Sequence, residues 1–185
     1  MKFFKTIFLF IFVSISAFCQ DFPEAAGINH VRIIGQGSII EADISHVQSL
    51  EPVLPNRNYY WYTHHQINKT QGGYSGRLLD GIYREFYKNK NIKELGYYAS
   101  GLQTGKCTSW NEDGYLQEIV EWKEGLKNGR YQKFEGQKVI ESGTYRSGLL
   151  HGKVRFFSSN KLIEAKIFKN GEQLLKNDDK KAAVQ

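Results

Sequence analysis

The side chains that could do chemistry fall into three sets. The first is a regular row of glutamates, Glu94, Glu118, Glu141 and Glu164, spaced 24, 23 and 23 residues apart. Stacked carboxylates could hold a cation or a basic partner. Their ordinary role is to pair with neighbouring basic side chains, here Arg84 or Arg155, on a solvated face. The second set is His30, His46, His64, His65 and His151 together with Cys107. Only His64 and His65 are adjacent, and adjacent residues of a strand point to opposite faces, which makes a poor chelate. Cys107 has Lys106 beside it in sequence but on the other side of a strand, so it reads as a packed small hydrophobe. The third set is aromatic: Tyr83, Phe86, Trp110, Trp122, Phe134 and Tyr145. Rings of this kind form either a core or a face for a partner. No nucleophile motif, phosphate loop or paired acid and base is visible, so the sequence assigns no catalytic residue, cofactor or metal site. Asn68-Lys69-Thr70 matches a glycosylation acceptor, a common triplet.

The glutamates, Cys107 and the aromatics are positioned by an internal repeat. The pattern aromatic-x-x-Gly-x-x-x-Gly occurs at Tyr98, Gly101 and Gly105, at Trp122, Gly125 and Gly129, and at Tyr145, Gly148 and Gly152. A degenerate copy has Tyr74, Gly76 and Gly81, and a last copy has Phe168 and Gly171 with Leu175 in place of the second glycine. The second glycines, Gly81, Gly105, Gly129 and Gly152, are 24, 24 and 23 residues apart. Two residues after each comes Tyr83, Cys107, Tyr131 or Val154, and five residues after it Phe86, Trp110, Phe134 or Phe157. A polar turn follows, then Ile92, Leu116, Val139 or Leu162, with the glutamate two residues later.

Each unit reads as strand, tight turn, strand and a glycine-bearing connection in which the glycines supply positive φ. A two-stranded hairpin is marginal alone in water, so four or five of them must stack edge to edge into one sheet with special ends. The expected fold is therefore all-β, an elongated antiparallel sheet of stacked β-hairpins. By a period of two, Ile92, Glu94, Gly96 and Tyr98 share one side, as do Leu116, Glu118, Val120 and Trp122. Tyr83 and Phe86 have opposite parity, which puts aromatics on both faces. A sheet partly apolar on both faces needs a second layer, strong curvature or a partner.

The repeats are expected over residues 58–175, with a strand at Tyr59-Tyr60-Trp61-Tyr62-Thr63 leading in. Residues 20–57 stand outside the repeat, with a hairpin suggested where Gly35-Gln36-Gly37 separates two apolar runs; residues 176–185 are a polar tail. Residues 1–19 read as a signal peptide: Lys2 and Lys5 precede an apolar run, and Ala17-Phe18-Cys19 fits a cleavage site before Gln20. The run is shorter than the roughly 20 residues that span a bilayer. Export would place the chain in the periplasm or outside the cell, with association to the envelope open to it. Without Cys19 only Cys107 remains, so no intramolecular disulfide can form. The chain carries 25 Lys and Arg against 19 Asp and Glu; without Lys2 and Lys5 the balance is 23 − 19 = +4. That mild, interspersed charge is not the footprint of a nucleic-acid binder.

Segments such as Gly105-Lys106-Cys107-Thr108-Ser109-Trp110-Asn111-Glu112-Asp113-Gly114-Tyr115-Leu116 and Gly129-Arg130-Tyr131-Gln132-Lys133-Phe134 resemble the MORN-repeat variant family of bacteria. The resemblance covers about residues 74–175. The standard unit has Gly-x-Gly where this chain has Tyr83, Cys107, Tyr131 or Val154 at the second position, which is the variant form. The resemblance implies a sheet of stacked hairpins and association with proteins or membranes, and it carries no catalytic residues. Members of this set are often labelled antitoxins, which adds an inhibitor role to what it implies. Taken with the aromatic faces, the expectation is an exported, non-catalytic scaffold or protein-interaction module that binds a protein partner or itself. A module binding a glycan or a lipid headgroup through exposed aromatic rows is the alternative.

Overall fold

The computed structural model describes residues 28–35, 37–46 and 52–174. The expected leader and polar tail lie outside the described residues. The chain forms one open antiparallel sheet system of fourteen strands, with no helix among the described residues. An N-terminal hairpin pairs β1 (Ile28–Ile34) with β2 (Ser38–Ser45), and a second hairpin pairs β3 (Asn58–Thr63) with β4 (Gln66–Gln71). Then come the repeat units. The first joins β5 (Arg77–Tyr87) and β6 (Ile92–Ala99), and the second joins β7 (Leu102–Trp110) and β8 (Leu116–Lys123). The third joins β9 (Leu126–Glu135) and β10 (Lys138–Arg146). After the short β11 (Leu149–Leu150), the last joins β12 (Gly152–Ser158) and β13 (Lys161–Lys169), and β14 (Glu172–Leu174) ends the sheet. The expected stack of hairpins is what the chain forms.

Two features of this topology differ from the sequence reading. The hairpin β1–β2 joins the sheet: β2 pairs with β5 through Ile40↔Glu85, Ala42↔Tyr83 and Ile44↔Leu79. This is the register in which β8 meets β9, through Glu118↔Lys133, Val120↔Tyr131 and Trp122↔Lys127. β2 thus stands as the second strand of a unit too degenerate to recognise, with Ile40 where the others have glutamate. Conversely, the segment read as leading into the repeats leaves the main path. β3 and β4 form an inserted hairpin that touches the sheet through Trp61↔Leu78 and Tyr62↔Arg77.

Units are joined by two-residue turns in which both residues have positive φ: Ser100-Gly101, Glu124-Gly125, Ser147-Gly148 and Asn170-Gly171. That is the primed turn whose twist matches the strands, and glycine is the residue it tolerates best. Each turn glycine donates its N–H to a carbonyl of the preceding unit: Gly101 to Leu79, Gly125 to Gln103, Gly148 to Lys127 and Gly171 to Leu150. A Cβ on Gly101 would meet Leu78 Cδ2 at 2.5 Å. Leu102, Leu126 and Leu149 lie against the next turn glycines in the same manner. The turns therefore stack into a spine along one long edge, and the start of β3 lies on it: Tyr60 N–H donates to the Gly101 carbonyl, and Arg57 Nε to that of Glu124. The second glycines, read as turn residues, are not in turns. Gly81, Gly105 and Gly129 lie within β5, β7 and β9, and Gly152 begins β12. All four have positive φ, and the first three lie beside register shifts where four residues of one strand span two of the other. This excursion brings the preceding carbonyl to the next turn glycine.

A second irregularity recurs inside each of the four repeat hairpins. Glu85↔Glu94 is followed by Phe86↔Ile92, Ser109↔Glu118 by Trp110↔Leu116, Lys133↔Glu141 by Phe134↔Val139, and Phe156↔Glu164 by Phe157↔Leu162. Lys93, Gln117, Ile140 and Ile163 are the extra residues of four β-bulges. A bulge reverses the alternation of side chains beyond it, so Ile92 and Glu94 do not share a side, contrary to the period-of-two reading. Ile92, Leu116, Val139 and Leu162 cross to the opposite face, beside Phe86, Trp110, Phe134 and Phe157.

Candidate functional site

The two faces differ in what they hold. The inner face, on which the β3–β4 hairpin lies, carries the glutamate row. Following the pairing across the sheet, the row runs Glu85, Glu94, Ser109, Glu118, Lys133, Glu141, Phe156 and Glu164. Lysines of the same face neutralise it: Lys93 reaches Glu85 at 2.9 Å, Lys127 reaches Glu118 at 3.5 Å, Lys133 reaches Glu141 at 3.1 Å and Lys166 reaches Glu164 at 3.3 Å. The expected partners Arg84 and Arg155 lie on the other face, because each is one residue out of phase with its unit's inner positions. Glu94 is the exception. Burial raises its pKa, and Cys107 Sγ donates to its Oε1 at 3.5 Å.

Beside this row sits the core. Tyr83, Tyr131 and Val154 are buried, with Cys107 and Val120 between them. The pairs across strands complement each other in volume: Tyr83 faces Gly96, Tyr131 faces Gly143, and Cys107 faces Val120. A Cβ on Gly143 would lie 2.9 Å from the Tyr131 ring, which fills that space. Cys107 is small where Tyr83 and Tyr131 are large because Val120 replaces the glycine that faces each of them. Burial, with Glu94 nearby, pushes the Cys107 thiol up to about 12, so it is not poised as a nucleophile. Burial also raises the Tyr83, Tyr98 and Tyr131 hydroxyls, and the latter donates to Glu141 at 2.6 Å.

Over the first unit the face is closed by the inserted hairpin. Tyr60, Tyr62 and Ile67 pack on Ala42, Ile44, Leu79, Tyr83 and Tyr98, with the Tyr60 and Tyr98 ring centroids 5.0 Å apart. Next to the hairpin, Lys127 places its ammonium 5.8 Å from the Trp122 ring and 5.3 Å from the Tyr145 ring. The open space there, lined by Tyr60, Glu94, Gln103, Cys107, Glu118 and Trp122, is about 210 Å³, below the roughly 300 Å³ where ligand pockets begin.

The outer face has no second layer among the described strands. One stripe of it is apolar. Strand pairing sets Ile34↔Ile39 and Ile39↔Phe86 in this stripe, and the bulges add Phe86↔Ile92, Trp110↔Leu116, Phe134↔Val139 and Phe157↔Leu162, from one end of the sheet to the other. Between the second and third units it opens into a depression of about 470 Å³ bounded by Trp110, Tyr115, Leu116 and Phe134. Nearer the turn spine runs a basic groove of about 460 Å³ lined by Lys106, Glu121, Arg130, Gln132, Lys153 and Arg155. Glu121 there accepts from the Arg130 N–H at 2.8 Å, tucked where Gly129 has no side chain, and leaves the four cations facing one acid.

The six aromatics chosen from sequence thus do not form one face. Tyr83, Trp122 and Tyr145 belong to the inner side; Phe86, Trp110 and Phe134 belong to the outer stripe. The basic groove was missed, although Lys106, Arg130, Lys153 and Arg155 recur one and three residues after their unit's second glycine. His64 and His65 form the positive-φ turn between β3 and β4, and among the described residues no three His, Cys, Asp or Glu side chains group as metal ligands. No helix of the described chain is long and apolar enough to cross a membrane. No model of a known protein family matches this chain, and no curated protein does either.

Proposed function

We propose that this chain is an exported, non-catalytic repeat protein acting as a protein-interaction or scaffold module of the bacterial envelope, with the outer face as its binding surface. The observation that carries this reading is the apolar stripe running beside a basic groove, with no second layer over it among the described residues. Apolar area flanked by charge is the make-up of a docking surface: burial supplies affinity and the cations select a partner bearing acidic groups. The likeness of the repeats to the MORN variant and the leader-like N-terminus support the rest of the reading.

The test is crosslinked co-purification of the chain from its own cell envelope, with Trp110→Ser/Phe134→Ser and Arg130→Glu/Lys153→Glu variants alongside. A protein recovered with the unaltered chain and lost with both variants is the expected result. Recovery of the same proteins by all forms would overturn it. The second reading, a glycan- or lipid-headgroup-binding module, is favoured by the depression at Trp110, Tyr115 and Phe134. It would be supported by binding to a glycan array or to anionic vesicles that Trp110→Ser abolishes, with no protein captured.

A further inference from the structure

The two ends of the sheet are complementary to each other. At one end β13 is a second strand, with the same bulge as β6, β8 and β10. β14 pairs only with Ile167, Phe168 and Lys169, so the outer edge of 161–166 has no strand beside it among the described residues. In the interior, the neighbour of a second strand is always the first strand of the next unit, as β9 is to β8. At the other end β1 stands as a first strand to β2, antiparallel to it, and its far edge is likewise without a described neighbour.

The side chains match in the same sense. The outer stripe ends at Ile34 on β1, 77 % exposed, and at Leu162 on β13, 57 % exposed. On the inner face, Ile33 continues the glutamate row through Ile40. The bulged residue of the last hairpin is Ile163, 66 % exposed, where the first two units have Lys93 and Gln117. Edge strands of soluble proteins are ordinarily blunted by charge, proline or a covering loop. Both edges also carry charge, Arg32 on β1 and Lys161, Glu164 and Lys166 on β13, yet each end presents apolar side chains on both faces of an edge with no described neighbour.

We infer that a second copy of this chain occupies these edges, β13 of one copy pairing antiparallel with β1 of the next. In that arrangement Glu164 stands opposite Ile33 as Glu118 stands opposite Lys133, Leu162 lies beside Ile34 in the outer stripe, and the repeat continues across the junction. The contact is head-to-tail, so it does not close as a two-fold dimer; copies add at both ends. Both partners are extended strands that need no rearrangement, as in other strand-addition complexes.

The experiment is analytical ultracentrifugation of the purified full chain over a dilution series, with Ile34→Lys and Leu162→Lys/Ile163→Lys variants. The altered side chains are exposed, and an unchanged β circular-dichroism spectrum and melting temperature verify that each variant is folded. The unaltered chain sediments as a concentration-dependent series of oligomers, and each variant alone as a monomer. An equimolar mixture of the two variants gives a dimer and nothing larger, because one intact β13 edge meets one intact β1 edge. A monomeric unaltered chain at its solubility limit overturns the inference. So does a variant that still dimerises alone, which would mean that like edges pair. Should a variant fail to fold, Ile34→Cys and Leu162→Cys in an otherwise cysteine-free chain keep the test open. Oxidation must then yield crosslinks between these two positions of different copies, and crosslinks of like positions alone count against it. The proposed function fails separately: a monomer that captures an envelope protein sinks only this inference, and a self-assembling chain that captures nothing sinks only that proposal.

Discussion

On the inner face, Tyr131 is 1 % exposed, donates its hydroxyl to Glu141 and lies over Gly143. Three residues further along the same strand, Phe134 stands half-buried on the outer face beside Val139 and the depression it shares with Trp110. Both come from one repeat and both are aromatic. The first has a fixed partner for every group: a facing glycine for its ring and a carboxylate for its hydroxyl. The second has neighbours on its own sheet and nothing described above it. Stability should therefore reside on the inner face and recognition on the outer one.

The sharpest test of that division is a pair of truncations. Tyr131→Ala leaves a cavity over Gly143 and strips Glu141 of a donor, so it is expected to lower unfolding free energy by about 3–5 kcal/mol. Phe134→Ala, which removes a half-buried ring, should cost less than about 2 kcal/mol. Urea denaturation monitored by tryptophan fluorescence measures both, and equal losses would break the comparison.

A second pair separates crowding from conformation along the turn spine. Gly101→Ala forces a Cβ against Leu78 at positive φ and should cost about 1–3 kcal/mol. Gly105→Ala meets the same kind of backbone strain in open space, and about 1 kcal/mol is expected. Thermal melting of the two variants reads the difference, and a Gly105 loss as large as that at Gly101 would refute the stacked spine.

Glu94 sharpens the electrostatic side. Burial raises its folded-state pKa above the unfolded value. Between those two values the folded chain holds more protons than the unfolded one, so stability falls as pH rises through that window. Glu94→Gln should remove this fall and leave the chain more stable near neutral pH, while still accepting from Cys107. Denaturation midpoints from acid to neutral pH decide the matter; a variant that keeps the wild-type slope would assign it to another group. The smallest effect is expected at Arg130, 84 % exposed and 3.7 Å from Glu121. Arg130→Ala should leave the melting temperature unchanged while weakening whatever binds the basic groove. A clear loss of stability would show that the groove is structural.

Much of this arrangement is legible in the residues. The 24-residue spacing of glycines and the aromatics at fixed offsets require stacked hairpins, and Ser147-Gly148 or Asn170-Gly171 name their turns. The leucine spine was legible too: Leu102, Leu126 and Leu149 each follow a turn glycine directly, a signal eclipsed by the more frequent glycines. The faces were harder to read. Counting by twos from Glu94 puts Ile92 beside it, and nothing in Lys93 or Gln117 marks a bulged position. The destination of Tyr59-Tyr60-Trp61 was equally hidden. Its composition suits a strand, but whether that strand extends the sheet or lies on it depends on which edge has a free partner.

The sequence by itself determined the order of the four repeat hairpins and the glycine turns that join them, because those depend on local backbone preference and on a period that any reader can count. Tertiary structure alone decided which face each side chain serves. One extra residue opposite its partner in every repeat hairpin reverses the alternation, and only the hydrogen-bonded pairing of two strands reveals which residue is extra. It also decided that Ile40 continues the glutamate row and that the inserted hairpin closes over Tyr83 and Tyr98. Contacts between residues tens of positions apart are set by how a twisted sheet buries its apolar area, and no local pattern encodes them.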